Sequence, residues 1–321
     1  MEVKMMRDSI LKILILAIGI ALVVSILLVT ATNQFHNSNS LVVIPIGSDT
    51  EYILATKFPE LNSKYPIYKT VQPIVSKEYI NGIVNVFNLE GEVSELTPDI
   101  LQVTDPRKTL EEQLEVFKNS GGYRYSIPEK KFRTVDYQPE LPSFNEAKDI
   151  ADKYLSSKHL LPENADFMNV SVCYSQSEWI AGKPDPLITY DILLSVLYAQ
   201  KIADLPTIGG TLTVYVGEKG EIAGVTNKMR VVEEDPALYT GIITPQLAFE
   251  KLTKRDFVVT PLDENYDKIT IQEISLAYWI EPLVSKQKYV APVYVFSGTA
   301  KSDGKTFPIV RYVWANASAL E

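Results

Sequence analysis

The sequence predicts an α+β protein: an N-terminal transmembrane helix, then an ectodomain of tandem modules in which a helix lies on an antiparallel sheet. Three observations carry this. The nineteen residues 13–31, "ILILAIGIALVVSILLVTA", hold no charge. Amphipathic helices with capping residues open at Ser143 and Thr244, and alternating apolar and polar runs follow each of them. With 46% hydrophobic and 22% charged residues over 321 positions, the composition is that of a globular chain long enough for two or three small cores.

As a helix the apolar run would span roughly 28 Å, close to a bilayer's hydrocarbon thickness. Lys4, Arg7 and Lys12 precede it, so the positive-inside bias makes residues 1–12 a cytoplasmic tail and puts the rest outside. The expectation is a single-pass protein of the cell membrane. A cleaved secretory signal is the alternative, with Val29-Thr30-Ala31 as small residues at the cleavage spacing, but the run exceeds the usual h-region. Residues 32–40 are polar and read as a tether.

Residues 41–142 read as an N-terminal α+β region and linker. "YPIYKTVQPIV" and "YINGIVNVF" alternate as half-buried strands do. Asp105-Pro106 reads as a helix start and Gly121-Gly122 as its stop, with Leu110, Leu114 and Phe117 on one face. "EKKFRTVDYQPELPS" reads as a linker.

The first module, 143–235, opens on the capping box Ser143-Phe144-Asn145-Glu146. Phe144, Ala147, Ile150, Ala151, Tyr154 and Leu155 then form an apolar stripe. A meander follows, through "VSVCYSQSEWI" and "LITYDILLSVLYA" to the hairpin "LPTIGGTLTVYVGEKGEIAGV". Its GEKG turn runs into a strand, so it is expected to reverse the chain and not to hold phosphate. The second module, 236–321, repeats the plan: Thr244-Pro245 caps "PQLAFEKLTKR", and three strand-like runs follow.

Those positions resemble the PepSY family, the small α+β modules of peptidase propeptides and of membrane-anchored YpeB-type proteins. The resemblance rests on Asn145-Glu146-Ala147 and Gln246-Leu247-Ala248 at the helix starts, with Val216 and Gly220-Glu221-Ile222 at the final hairpin. The second copy departs from the pattern, since "IVRYVWA" runs to the C-terminus without that hairpin. The resemblance implies modules that bind and restrain peptidases or other envelope partners and carry no catalytic residues.

Several motifs fall short of the functional patterns they suggest. "GTAKSDGKT" has one residue too many for a phosphate loop, and Asp303-Gly304 reads as a hairpin turn. Asp263, Asn265 and Asp267 have calcium-loop spacing, but Lys268 stands where glycine is needed and Ile274 where the bidentate Glu belongs. His36 and His159 are too scattered for a triad. The lone Cys173 excludes an intramolecular disulfide and reads as a small buried hydrophobe. A net charge of −9 argues against a nucleic-acid partner.

The expected function is therefore a membrane-anchored, extracytoplasmic, non-enzymatic binding or regulatory protein with no cofactor, possible restraint of a peptidase or envelope sensor being its role. Its partners are a protein or peptide of the cell envelope and, through the N-terminal helix, the membrane. An extracytoplasmic hydrolase with a carboxylate pair and a structural or adhesive surface protein remain as rivals. No catalytic, cofactor or metal residue is assigned. The expected docking surface is the edge of a sheet, with Thr213 and Tyr215 as its candidate residues if their strand lies at an edge.

Overall fold

A computed structural model describes residues 50–183, 185–259 and 266–316. Sheet dominates them: fifteen strands stand against four short helices. The expected α+β fold with an N-terminal membrane helix is thus corrected to a mostly β architecture. No described helix is long and apolar enough to cross a membrane, so the single-pass membrane reading is not carried forward. The segment 13–31 that prompted it lies outside the described residues.

Eight strands form one antiparallel run in the order β3 (Val93–Thr97), β4 (Ile100–Asp105), β5 (Glu112–Phe117), β6 (Tyr123–Ser126), β10 (Ile222–Asn227), β9 (Leu205–Val216), β8 (Ile188–Ile202) and β7 (Ala165–Glu178). Side chains alternate across a sheet, so each cross-strand line of residues belongs to one face. Leu114, Tyr125, Val225, Val214, Val196 and Val170 are successive partners and form an apolar line. Two helices cover that face, α1 (Lys77–Phe87) through Ile80, Val84 and Phe87, and α3 (Phe144–Ser157) through Ala147, Ala151 and Leu155.

Strand β1 (Glu51–Leu54) runs parallel to β12 (Lys268–Trp279), which continues antiparallel into β14 (Pro292–Ser302) and β15 (Lys305–Trp314). Helix α4 (Pro245–Thr253) buries Ala248 and Leu252 in a second core with Ile271, Tyr294 and Phe296. Thr207 and Ile208 of β9 pair in parallel with Tyr278 and Trp279 of β12, which joins everything so far into one twelve-stranded sheet. Strands β11 (Leu238–Gly241), β2 (Lys64–Lys69) and β13 (Tyr289–Val290) form a separate three-stranded sheet. These pairings cross each of the boundaries expected at 142 and 235.

Local signals explain most elements and two corrections. Ser143 Oγ accepts from Glu146 N–H, and the Glu146 carboxylate accepts from Ser143 N–H, so the capping box forms. The stripe beneath it is narrower than expected, since Phe144 is 52% exposed. "YINGIVNVF" is α1, not a strand: Ser76 caps it, and Ile80, Ile83, Val84 and Phe87 have the helical spacing. Conversely, the helix expected after Asp105-Pro106 is absent. Asp105 closes a loop, accepting from the Glu90 and Arg107 amides, and Leu114 and Val116 then alternate inward along β5.

The GEKG turn reverses the chain, with Lys219 and Gly220 both at positive φ. The positive φ at Gly220 is what favours glycine there, since a Cβ would meet only the movable tip of Ile150, at 2.6 Å from Cδ1.

Arg230 ties distant loops together. It is 3% exposed and donates to the carbonyl oxygens of Asn119, Pro282 and Ser285 at 3.1, 3.0 and 2.8 Å. Burial pulls its guanidinium down to about 10. Gln200 closes the base of this staple by exchanging two hydrogen bonds with the Arg230 backbone.

Candidate functional site

Strand β7 forms one end of the eight-strand run and pairs only with β8 among the described residues. It is fourteen residues long, and ten of them are exposed. Phe167 to Ser177 is a stretch of eleven residues with no charge and no proline. Sheet edges are ordinarily blunted, because a free row of N–H and C=O groups templates pairing with any extended chain. The other edges here follow that rule: β1 and β3 are short, and β15 carries Lys305, Pro308 and Arg311, with Val258 N–H bonded to Tyr312. On β7 the blunting is limited to register shifts at 167/169, 172/174 and 174/175. Beyond its far end Trp179, Ile180, Leu187 and Ile188 are exposed on the β7–β8 hairpin.

The sheet face opposite α1 and α3 is polar. Glu115, Arg124, Thr226 and Thr213 are successive cross-strand partners, and the neighbouring line runs Gln113, Ser126, Gly224, Tyr215, Ser195 and Ser171. The short helix α2 (Pro128–Lys131) delivers Lys131, whose Nζ lies 3.9 Å from the centre of the Tyr215 ring. Arg124 is held by Glu115 at 2.9 Å. Burial, then the Arg124 charge, pulls the Lys131 ammonium down to about 8, and Lys228 adds to the effect. Lys228 is itself lowered by desolvation and by Arg124. This face therefore concentrates cations and hydroxyls.

Thr213 and Tyr215 lie in β9, not at an edge. They pair with Leu197 and Ser195 of β8 on one side and with Thr226 and Gly224 of β10 on the other. Their backbone has no free ladder to offer, but both side chains stand on the polar face. Cys173, expected to be buried, is exposed on β7. Asp263 and Asn265 of the calcium-spaced triplet lie outside the described residues; Asp267 N–H bonds the Lys301 carbonyl. Sequence reading missed Lys131 because it was assigned to a linker, and missed β7 because its pairing is set by residues far away in the chain. Its uncharged composition was the available signal.

Fold and site together define a mostly β protein with a bare sheet edge and a cationic sheet face. No protein-family model and no curated protein matches the chain. Among solved structures it is similar to the crystal structure of an uncharacterized protein from Eubacterium rectale ATCC 33656, with 13% identity and a TM-score of 0.38. That likeness covers 85% of this chain and 88% of the other, and at this score it carries nothing about function.

Proposed function

We propose that the protein is a non-enzymatic binding protein that takes an extended segment of a partner protein as an added strand on β7. One observation carries this: the longest bare edge among the described residues holds the eleven-residue run Phe167 to Ser177, without charge or proline to repel a neighbour. Backbone hydrogen bonds would supply affinity, and the exposed Phe167, Met168 and Val172 would choose among side chains. The uncharged edge calls for an uncharged, β-prone segment, because a buried charge opposite it would have no counter-ion.

The test is amide exchange on β7 with a soluble Thr/Val decapeptide as the probe. Protection of β7 amides is expected, together with its loss when alternate peptide bonds of the probe are N-methylated or when Ser171→Lys is introduced. Unchanged exchange, or binding that survives N-methylation, overturns strand addition. Self-association of the protein that Ser171→Lys abolishes, with no effect of the peptide, assigns the edge to a second copy and overturns the reading.

A further inference from the structure

The polar face carries a second set of groups, centred on β9 and β10. The basic residues around it are mostly matched: Lys130 pairs with Glu221, Arg133 with Glu218 and Glu221, and Arg124 with Glu115. Lys131 and Lys228 form no salt bridge among the described residues. Lys131 rests only on aromatic rings, 3.9 Å from the Tyr215 centroid and 5.7 Å from that of Phe132. Two ammonium groups on one face, each close enough to Arg124 to feel its charge, are left without a salt bridge in a chain that has 40 acidic residues and a net charge of −9.

A second observation points the same way. Thr226 is 1% exposed, and its hydroxyl has no hydrogen-bond partner among the described residues. Register places it directly between Arg124 on β6 and Thr213 on β9, on this same face. Lys228 is the next residue of the chain on that side, its N–H bonded to the Thr211 carbonyl. An unmade bond on a buried hydroxyl costs about 1–3 kcal/mol, so such groups are usually satisfied. Here an enclosed, unpartnered hydroxyl lies beneath two cations that make no salt bridge, so the face holds polarity that its own groups leave unmatched.

From this juxtaposition we infer that the polar face binds an acidic segment of a partner protein, whose carboxylates neutralise Lys131 and Lys228. Carboxylate suits the site better than phosphate. The forked guanidinium that recognises phosphate bidentately is already engaged by Glu115, and that glutamate repels a dianion more than a monoanion. What remains are two point charges and an aromatic floor. Phe132, 59% exposed and edge-on to Tyr174, extends that floor to accommodate the segment's apolar stems.

The experiment is calorimetric titration of the whole chain with a glutamate decapeptide at low salt, beside a glutamine decapeptide and inorganic phosphate. Binding of the glutamate peptide alone is expected. Lys131→Met and Lys228→Met should each weaken it about fivefold, the scale of one partly screened ion pair. Lys131→Arg should retain binding, and Glu115→Gln should tighten it by releasing Arg124. Circular dichroism confirms that each variant is folded. Absence of binding to the wild type, or affinity unchanged in both methionine variants, overturns the inference. Phosphate bound as tightly at the same lysines overturns the commitment to carboxylates. Lys131→Met and Lys228→Met should leave binding of the uncharged Thr/Val peptide to β7 unchanged, so failure here is distinguishable from failure of strand addition.

Discussion

Replacing Arg230 by methionine should cost about 3 kcal/mol of stability and loosen two loops selectively. The side chain is buried and donates to three carbonyl oxygens, those of Asn119, Pro282 and Ser285. A hydrogen bond to a charged donor contributes ~1.5–3 kcal/mol, so the three together represent at least about 4.5 kcal/mol. Removing the guanidinium also removes its desolvation cost, and methionine refills part of the volume, which returns a fraction of that sum. Urea unfolding at neutral pH gives the total, and amide exchange gives its location: residues 119–122 and 281–288 should open while α3 stays protected. Arg230→Lys should fall between, since one ammonium reaches fewer of the carbonyls. A methionine variant within about 0.5 kcal/mol of wild type, the usual scatter of surface changes, would refute the assignment of Arg230 as the tie between these loops.

Two titrations follow from the same structure. Asp105 accepts from Arg107 and from the Glu90 amide, and the Arg107 hydrogen bonds hold its carboxyl down to about 2. Because the folded value lies below the unfolded one, its contribution is full above the ordinary carboxylate range and is lost as pH falls towards about 2; the stability gap between wild type and Asp105→Asn should close over that window. Lys131 should titrate near 8 by carbon-13 NMR, and lower still in Glu115→Gln, since Glu115 raises it. A folded value below the unfolded one in a cation means a cost at neutral pH that is relieved as pH rises from about 8 towards the ordinary lysine value, so Lys131→Met should be relatively most stabilising below 8.

What the sequence made legible was local. Ser143 with Glu146, Thr244 before Pro245, and Asp303-Gly304 each act within a few residues, and each forms as expected. Confusion arose where two readings fit the same residues. Ile80, Ile83, Val84 and Phe87 satisfy a helical stripe, yet the β-branched residues and Gly82 also suit a strand; Ser76 as N-cap decides it. Asp105-Pro106 looks like a helix start, but the strand alternation of Leu114 and Val116 outweighs it once β4 and β6 supply ladders on both sides. The position of β9 was not legible at all. Its alternation marks one polar and one apolar face, which any strand in the run would show, whereas its interior place comes from pairing with β8, β10 and β12 at once. Edge status is therefore a tertiary property, and the face pattern of Thr213 and Tyr215 says nothing about it.

The same distinction separates the two proposed sites. Strand β7 and the β9 strand whose Tyr215 ring underlies Lys131 are separated by β8 alone, two ladder spacings or about 10 Å. That is about one Debye length at physiological salt, so a charge introduced on β7 is partly felt at Lys131. Strand addition draws on backbone groups of β7 and should respond little to salt. Docking on Lys131 and Lys228 draws on ion pairs and should weaken steeply as salt is raised. A binding partner whose affinity is insensitive to salt but lost in Ser171→Lys uses the edge. One whose affinity falls with salt and with Lys131→Met uses the face. Ser171 lies on β7 and Lys131 on helix α2 with no shared hydrogen bond, so their effects on a ligand held at one site should add, and a marked departure from additivity would mean that one ligand spans both sites.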